Sequence, residues 1–415
     1  MRGRLPVLFI TAFIDMVGLT MIMPLLPFYA EQLGASATVV GLLIAAFSLA
    51  QLLVAPLWGR SSDRYGRRPA ILAGLLVTAV AYVLFGFAGS LPMLLLSRLL
   101  QGVGGGTIGV VQAYVADASP VDQRTRSLGW LSAVTSLGAV AGPAFGSLMI
   151  AIGGRSAPGL AAAGLALLVA GFAWRYLRES RLQTTSGSHA PRTTGRAAVT
   201  GILTRWSAPA SRLIWIYAVA IGAFYGTGQT APLLLARRFA ITERNVGFFI
   251  MYLGGMGVLI RSLVLGPAVD RLGEARLSRL GVLLLAIGLA ATGLASNFPV
   301  LALGFTCMPF GTAFLFPCVT GLLSRVVPAR DRGLYMGVQH TFGGVSRVAF
   351  PVAAGVLMDR FGVGVPFWVA GVLVLLTFPL TRGMAQFVPA QPTPVPVEEK
   401  ITAPDVTGEF PAKPA

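Results

Sequence analysis

The sequence predicts an all-α integral membrane protein of twelve transmembrane helices, arranged as two pseudo-symmetric six-helix bundles. Three observations predict it. The 415 residues are 55% hydrophobic and only 11% charged, with a mean hydropathy of +0.76, whereas a soluble domain carries roughly 25% charged residues. The apolar residues fall into twelve runs of about the length that crosses a bilayer as a helix, and helices satisfy their own backbone groups in hydrocarbon. Polar punctuation then repeats at a near-constant offset. Gly59, Asp63, Arg64 and Gly66 return as Gly266, Asp270, Arg271 and Gly273, shifted by 207, and Pro120, Arg124, Gly129 and Pro143 return as Pro328, Arg332, Gly337 and Pro351, shifted by 208.

Taken in order, the first run (5–29) contains Asp15, Pro24 and Pro27. It is too long for a signal peptide and has no small-residue cleavage site, so it is expected to stay as the first helix. The second (38–58) ends in a charged loop, 59–69, reading Gly-Arg-Ser-Ser-Asp-Arg-Tyr-Gly-Arg-Arg-Pro. Spans three to six are 70–89, 92–115, 127–151 and 158–176, closing a first bundle over 1–176. A stretch rich in Arg, Ser, Thr and Gly, 177–212, reads as a flexible cytoplasmic linker. The second bundle, 213–382, holds spans at 213–235, 245–265, 277–296, 299–323, 335–358 and 365–382. The tail, 383–415, carries Pro389, Pro392, Pro394 and Pro396 and reads as disordered.

The net charge of +17 raises the question of nucleic acid. Its distribution answers it. With the N-terminus in the cytoplasm, 24 of the 32 Lys and Arg fall in cytoplasmic segments, five (Arg155, Arg237, Arg238, Arg244, Arg360) fall outside and three lie within helices. That is the positive-inside bias, and it orients both termini inward. Lipid is the expected environment, with no nucleic-acid partner. No nucleophile–base pair, metal-ligand cluster or phosphate-cradling Gly-Lys-Ser/Thr loop is present. Neither an enzyme nor a cofactor nor direct ATP drive is therefore expected.

Ionisable residues at membrane depth are costly and are functional candidates. Asp15 lies about ten residues into the first span, roughly 15 Å deep. Low dielectric disfavours its charged form, so it is a candidate to take up and release a proton. Arg98, Gln101 and Gln112 fall within about 60° on span four at 100° per residue, a polar stripe expected to face a cavity. Arg261 lies in span eight. His340 and Arg347 are seven apart on span eleven, nearly one face. Gln229, Phe310 and Phe314 complete a candidate substrate cavity. One deep carboxylate against three arginines leans toward neutral, zwitterionic or anionic substrates.

The loop at 59–69 resembles the signature loop between helices two and three of the major facilitator superfamily: Gly59, Asp63, Arg64, Gly66, Arg67 and Arg68 keep every element. The weakened copy, with Asp270 and Arg271, stands where that family carries it. The glycines suit tight turns, and Asp63 is expected to accept from a helix N-terminus. The resemblance implies a cytoplasmic latch that breaks during alternating access, with Asp117 as a partner for its arginines. Since Arg67 and Arg68 become Glu274 and Ala275 in the copy, the full latch is expected on the first half alone.

Three further segments are similar to the twelve-helix drug–proton antiporters of that superfamily. They are Asp15-Met-Val-Gly18 with Pro24 and Pro27, the arginine motif from Arg98 through Gly106, and the antiporter motif Gly138-Ala-Val-Ala-Gly142-Pro143-Ala-Phe-Gly146. Spacing of four between Gly138, Gly142 and Gly146 makes one smooth helix face, and Pro143 removes a backbone donor. The Asp15 pattern looks most like the tetracycline and multidrug efflux branch. The resemblance implies a monomeric, proton-coupled exporter of small amphipathic molecules in the bacterial cytoplasmic membrane, with Asp15 and Arg98 in the proton path. Export of a metabolite, such as a sugar or amino-acid derivative, is the alternative.

Overall fold

The computed structural model describes residues 4–120, 123–177, 179, 195–328 and 330–384. Fifteen α-helices run in order: α1 (Arg4–Ile22), α2 (Leu26–Gln32), α3 (Ala37–Tyr65), α4 (Arg67–Gly86), α5 (Leu91–Gly105), α6 (Ile108–Ala118), α7 (Arg124–Gly153), α8 (Ala157–Tyr176), α9 (Gly195–Thr204), α10 (Pro209–Phe239), α11 (Val246–Leu259), α12 (Leu265–Leu294), α13 (Phe298–Val326), α14 (Arg332–Phe361) and α15 (Val365–Leu376). A π-helical turn, Ile260–Val264, joins α11 to α12.

Grouped by bilayer length, these make the twelve predicted spans. Span one is α1 with α2, broken where Pro24 and Pro27 interrupt the amide ladder. Span four is α5 with α6, broken in the glycine run. Its freed carbonyls find donors on α3: Gln51 Nε2 donates to Gly105 O (3.1 Å) and Trp58 Nε1 to Val103 O (2.7 Å). Spans eight and nine run on through α12 and part at Gly273 (φ 74°, ψ 155°). Its counterpart Gly66 (φ 108°, ψ 158°) parts α3 from α4 in the same conformation. Left-handed φ at both positions favours glycine, so the repeat is written in backbone angles as well as residues.

The packing repeats too. A side chain on Gly247 of α11 would strike the Pro143 carbonyl of α7, and one on Gly41 of α3 would strike the Pro351 carbonyl of α14. Two equivalent glycine–proline crossings thus join the halves. Cores are apolar, with one cluster of the first bundle around Ile71, Leu75, Val115 and Val169, held within the bilayer by van der Waals packing of the helices.

The molecule has a linker end, carrying Gly66, Gly273 and α9, and a distal end. Polar contacts between the halves gather at the distal end. Asp359 of α14 accepts from Ala37 N (2.9 Å) and Thr38 N (2.8 Å), capping α3 from the other half. Arg237 meets Glu31 at 2.6 Å. Ser147 Oγ donates to Glu243 O (2.7 Å) and accepts from Gly247 N (3.0 Å). Toward the linker end the helices part. Ala55, Pro56 and Leu57 are all exposed, as are the four consecutive residues Arg261–Val264. Such runs turn through most of a helical circumference, so they cannot all be lipid-facing in a closed bundle.

Part of the expected linker, 195–204, is the helix α9, which meets α10 across an 84° bend. Residues 180–194 and the tail from 385 lie outside the described residues.

Candidate functional site

Asp15 lies midway along α1, on the wall of a cavity of about 610 Å³ lined wholly by the first half. The cavity starts at the linker end, between Leu8, Ile71, Ala116, Leu128 and Leu177, and reaches inward to Asp15, Tyr82 and Gln101. Thr11, Thr78, Ser132, Thr135 and Gln112 add polar groups to an otherwise apolar wall. Asp15 makes no hydrogen bond or ion pair among the described residues. Its carboxyl group faces the cavity with nothing to neutralise it, the state expected of a site that exchanges protons with water.

Arg98 is 1% exposed. It donates through Nη1 to Gln101 Oε1, and its guanidinium carbon lies 5.0 Å from the Phe47 ring centroid. Its Nε and the Gln101 Nε2 have no hydrogen-bond partner among the described residues. Arg98 and Asp15 do not pair. Tyr82 stands within electrostatic range of both, and its buried hydroxyl also lacks a partner. The stripe expected on one continuous helix is corrected here: span four breaks between Gly105 and Ile108, so Gln112 belongs to a different helix from Arg98 and Gln101. Gln101 and Gln112 nonetheless line the same cavity.

The antiporter motif packs against the Asp15 helix. A Cβ on Gly138 would lie 2.6 Å from Phe13 O, one on Gly142 would lie 2.7 Å from Val17 O, and one on Gly146 would strike Met21 O. The smooth face of α7 is therefore seated on α1 across the turns that bracket Asp15. An adjacent side of α7 presents Pro143 O and Ser147 to α11 of the second half. One helix thus touches both the carboxylate's support and the inter-half contact.

The charged loop is organised around Arg67. Its guanidinium meets Asp63 at 2.8 Å and Asp117 at 3.3 Å and donates to Ser62 Oγ (2.7 Å). Asp63 does not cap a helix, contrary to expectation. The α4 N-terminus is capped by Glu179, which accepts from Arg67 N (2.8 Å) and Arg68 N (3.3 Å); a carboxylate there is favoured by the positive end of the helix dipole. Arg68 also donates to Trp174 O. Arg64 lies over the adjacent Tyr65 ring at 5.2 Å, and Gly59 sits in open space. These partners lie within the first half, except Glu179 at the start of the linker.

The second half has not lost the arrangement. Glu274, at the position of Arg67, meets Arg325, at the position of Asp117, at 2.9 Å. The repeat keeps this one bridge and exchanges its charges. Asp270 and Arg271 are exposed and form no ion pair among the described residues. The exchange predicts a rescue experiment. Arg67→Glu alone should lower transport about 10-fold by facing Asp117 with a like charge, and Arg67→Glu with Asp117→Arg should recover most of it, read as initial rates in vesicles.

The profile of the major facilitator superfamily matches residues 8–264 and 213–410, and so spans both halves. The chain belongs to the major facilitator superfamily. It is similar to multidrug resistance protein 2 of Bacillus subtilis (strain 168), 28% identical over 89% of this chain and 92% of that protein. It is also similar to the class C tetracycline resistance protein of Escherichia coli, 31% identical over 79% of this chain and 82% of that one. Among solved structures, a bacterial homologue of the human lysosomal transporter Spinster, in its inward-facing unoccupied conformation, superposes with a TM-score of 0.77 at 15% identity, covering 94% and 98% of the two chains.

The remaining candidates of this major facilitator chain separate in space. Phe314, 5% exposed, belongs to a core cluster with Ile260, Leu277 and Cys318, and Phe310 packs edge-on to it at 5.9 Å. Both are interior packing of the second bundle and leave the cavity set. Arg261 sits exposed on the π-helical turn. Gln229 Nε2 lies 3.1 Å from Met23 Sδ at the break in span one, a contact across the halves. His340 meets Tyr217 edge-on at 6.4 Å, and the Arg347 guanidinium lies 5.9 Å from the Tyr225 ring centroid. Sequence reasoning missed Tyr82, Tyr225 as a ring platform, and Glu179. Gly18, in the Asp15-Met-Val-Gly18 segment, lies beside the Tyr82 ring.

Proposed function

We propose that the chain is a proton-coupled exporter of small amphipathic molecules, drugs and tetracycline-like compounds among them. It works as a monomer in the bacterial cytoplasmic membrane with both termini inside. The observation that carries this reading is Asp15, a carboxylate without a partner at the inner end of a cavity that reaches the linker end. The similarity to multidrug and tetracycline resistance proteins supports the substrate class.

With the positive-inside orientation, the linker end faces the cytoplasm. The structure then corresponds to the state closed outside and open inside. In this state Asp15 gives up its proton to the cytoplasm and the protein accepts its substrate. Rocking of the halves about the two glycine–proline crossings turns the site outward. There the higher proton concentration recharges Asp15 and the substrate leaves. The loop around Arg67 closes the cytoplasmic end as the halves come together there. Tyr82, in electrostatic range of Asp15 on one side and Arg98 on the other, links the two between these states.

The test is export by purified protein in liposomes under an imposed pH gradient, with tetracycline and a panel of amphipathic drugs. Accumulation that follows the gradient and collapses when a proton–potassium exchanger dissipates it is expected. Transport indifferent to the gradient sinks the coupling.

A further inference from the structure

We propose that Arg347 is an anion-docking and specificity-determining residue between the two halves, selecting substrates that carry a carboxylate on an aromatic framework. The proposal deepens the exporter reading and rests on it.

Arg347 lies near the middle of α14, at membrane depth, and is half-buried. No carboxylate lies within ion-pair distance, and it makes no hydrogen bond among the described residues. Its guanidinium lies over the face of Tyr225, at 5.9 Å, with Tyr217 also in electrostatic range. Tyr225 is also within electrostatic range of Arg98, and Ser48 of α3 lies beside its hydroxyl. Phe47, next to Ser48, lies under the Arg98 guanidinium at 5.0 Å. A single α3 step therefore brings one arginine from each half to the same level, with Tyr225 and Phe47 as platforms. Beside Arg347, His340 is exposed and in electrostatic range, and it meets Tyr217 edge-on. The one deep carboxylate, Asp15, lies in the cavity of the first half with no arginine in range.

The region between the halves is thus positive and aromatic, while the proton site is elsewhere. A guanidinium at this depth is costly without a counter-charge. A carboxylate brought in by substrate supplies one, and the planar fork of arginine matches it with two parallel hydrogen bonds. The rings of Tyr225 and Tyr217 offer faces and edges for an aromatic body attached to it. An aromatic carboxylate satisfies both features at once; a lipophilic cation can use the rings but leaves the guanidinium without a counter-charge.

The probes are nalidixic acid, an aromatic carboxylate, and its neutral methyl ester, compared by equilibrium dialysis against the protein in lipid nanodiscs, with empty nanodiscs as background. The wild type is expected to bind the acid about 10-fold or more tighter than the ester, the size of one well-formed charged contact. Arg347→Gln should erase that preference and leave ester binding unchanged, which also shows the variant folded. Arg347→Lys should keep part of it. No binding of either probe, equal binding by the wild type, a preference that survives Arg347→Gln, or an equal loss of both probes in that variant would each overturn the proposal. Dialysis needs no transport. Acid-selective binding without gradient-driven export would leave the subsite standing and sink the exporter reading; export without acid selectivity would do the reverse.

Discussion

Asp15→Asn abolishes gradient-driven export, lowering its rate by about 100-fold or more, the usual scale of removing an essential proton-transfer group. Asparagine matches aspartate in shape and cannot exchange a proton. Asp15 makes no hydrogen bond or ion pair among the described residues, so the substitution breaks no contact and removes a charge from an apolar wall. Folding and ligand binding are therefore preserved, and thermal stability is unchanged or higher. Asp15→Glu, which keeps the titrating group on a longer arm, retains partial activity. Everted vesicles report the transport, and the binding isotherm of the same preparation separates loss of coupling from loss of the protein.

Gly142→Val destabilises the first bundle by about 3 kcal/mol, the upper end of overpacking, and halts transport. The added Cβ would strike Thr20 Oγ1 and lie 2.7 Å from Val17 O and 3.1 Å from Met21 N. Two of these are backbone atoms of α1 and cannot swing aside. The helix that carries Asp15 must be pushed off α7, and the link from the proton site to the inter-half contact goes with it. Gly129, on the same helix, faces open space; Gly129→Val leaves stability and transport close to wild type. Thermal unfolding in detergent, alongside vesicle transport, checks the pair.

The spans were legible because length and apolarity alone decide what crosses a bilayer. The breaks were less so. Pro24 and the glycine run at 102–106 announce weak points, yet whether a helix parts there depends on donors from elsewhere, Gln51 and Trp58 in this case. The π-helical turn at Arg261 left no mark in composition. The exchanged bridge was present in the sequence as Arg67, Asp117, Glu274 and Arg325. Matching identical residues hides it, because a salt bridge survives reversal of both charges. Phe310 and Phe314 were misplaced for a similar reason. An aromatic on an apolar helix says that the helix packs, and only the crossing of neighbouring helices decides whether that face meets a cavity or a core. Asp15 was legible because a charge in an apolar run needs a reason. Tyr82 was not, since its hydroxyl adds little polarity and its meaning comes from standing between Asp15 and Arg98.

The central claim is that substrate and proton compete through Asp15. It is tested most directly by adding tetracycline to purified, weakly buffered protein and following the pH with an indicator. The wild type releases protons as the drug binds, with an amplitude that tracks occupancy, and Asp15→Asn binds drug and releases none. Proton release of equal size from Asp15→Asn, or saturating binding to the wild type with no release, would contradict the account.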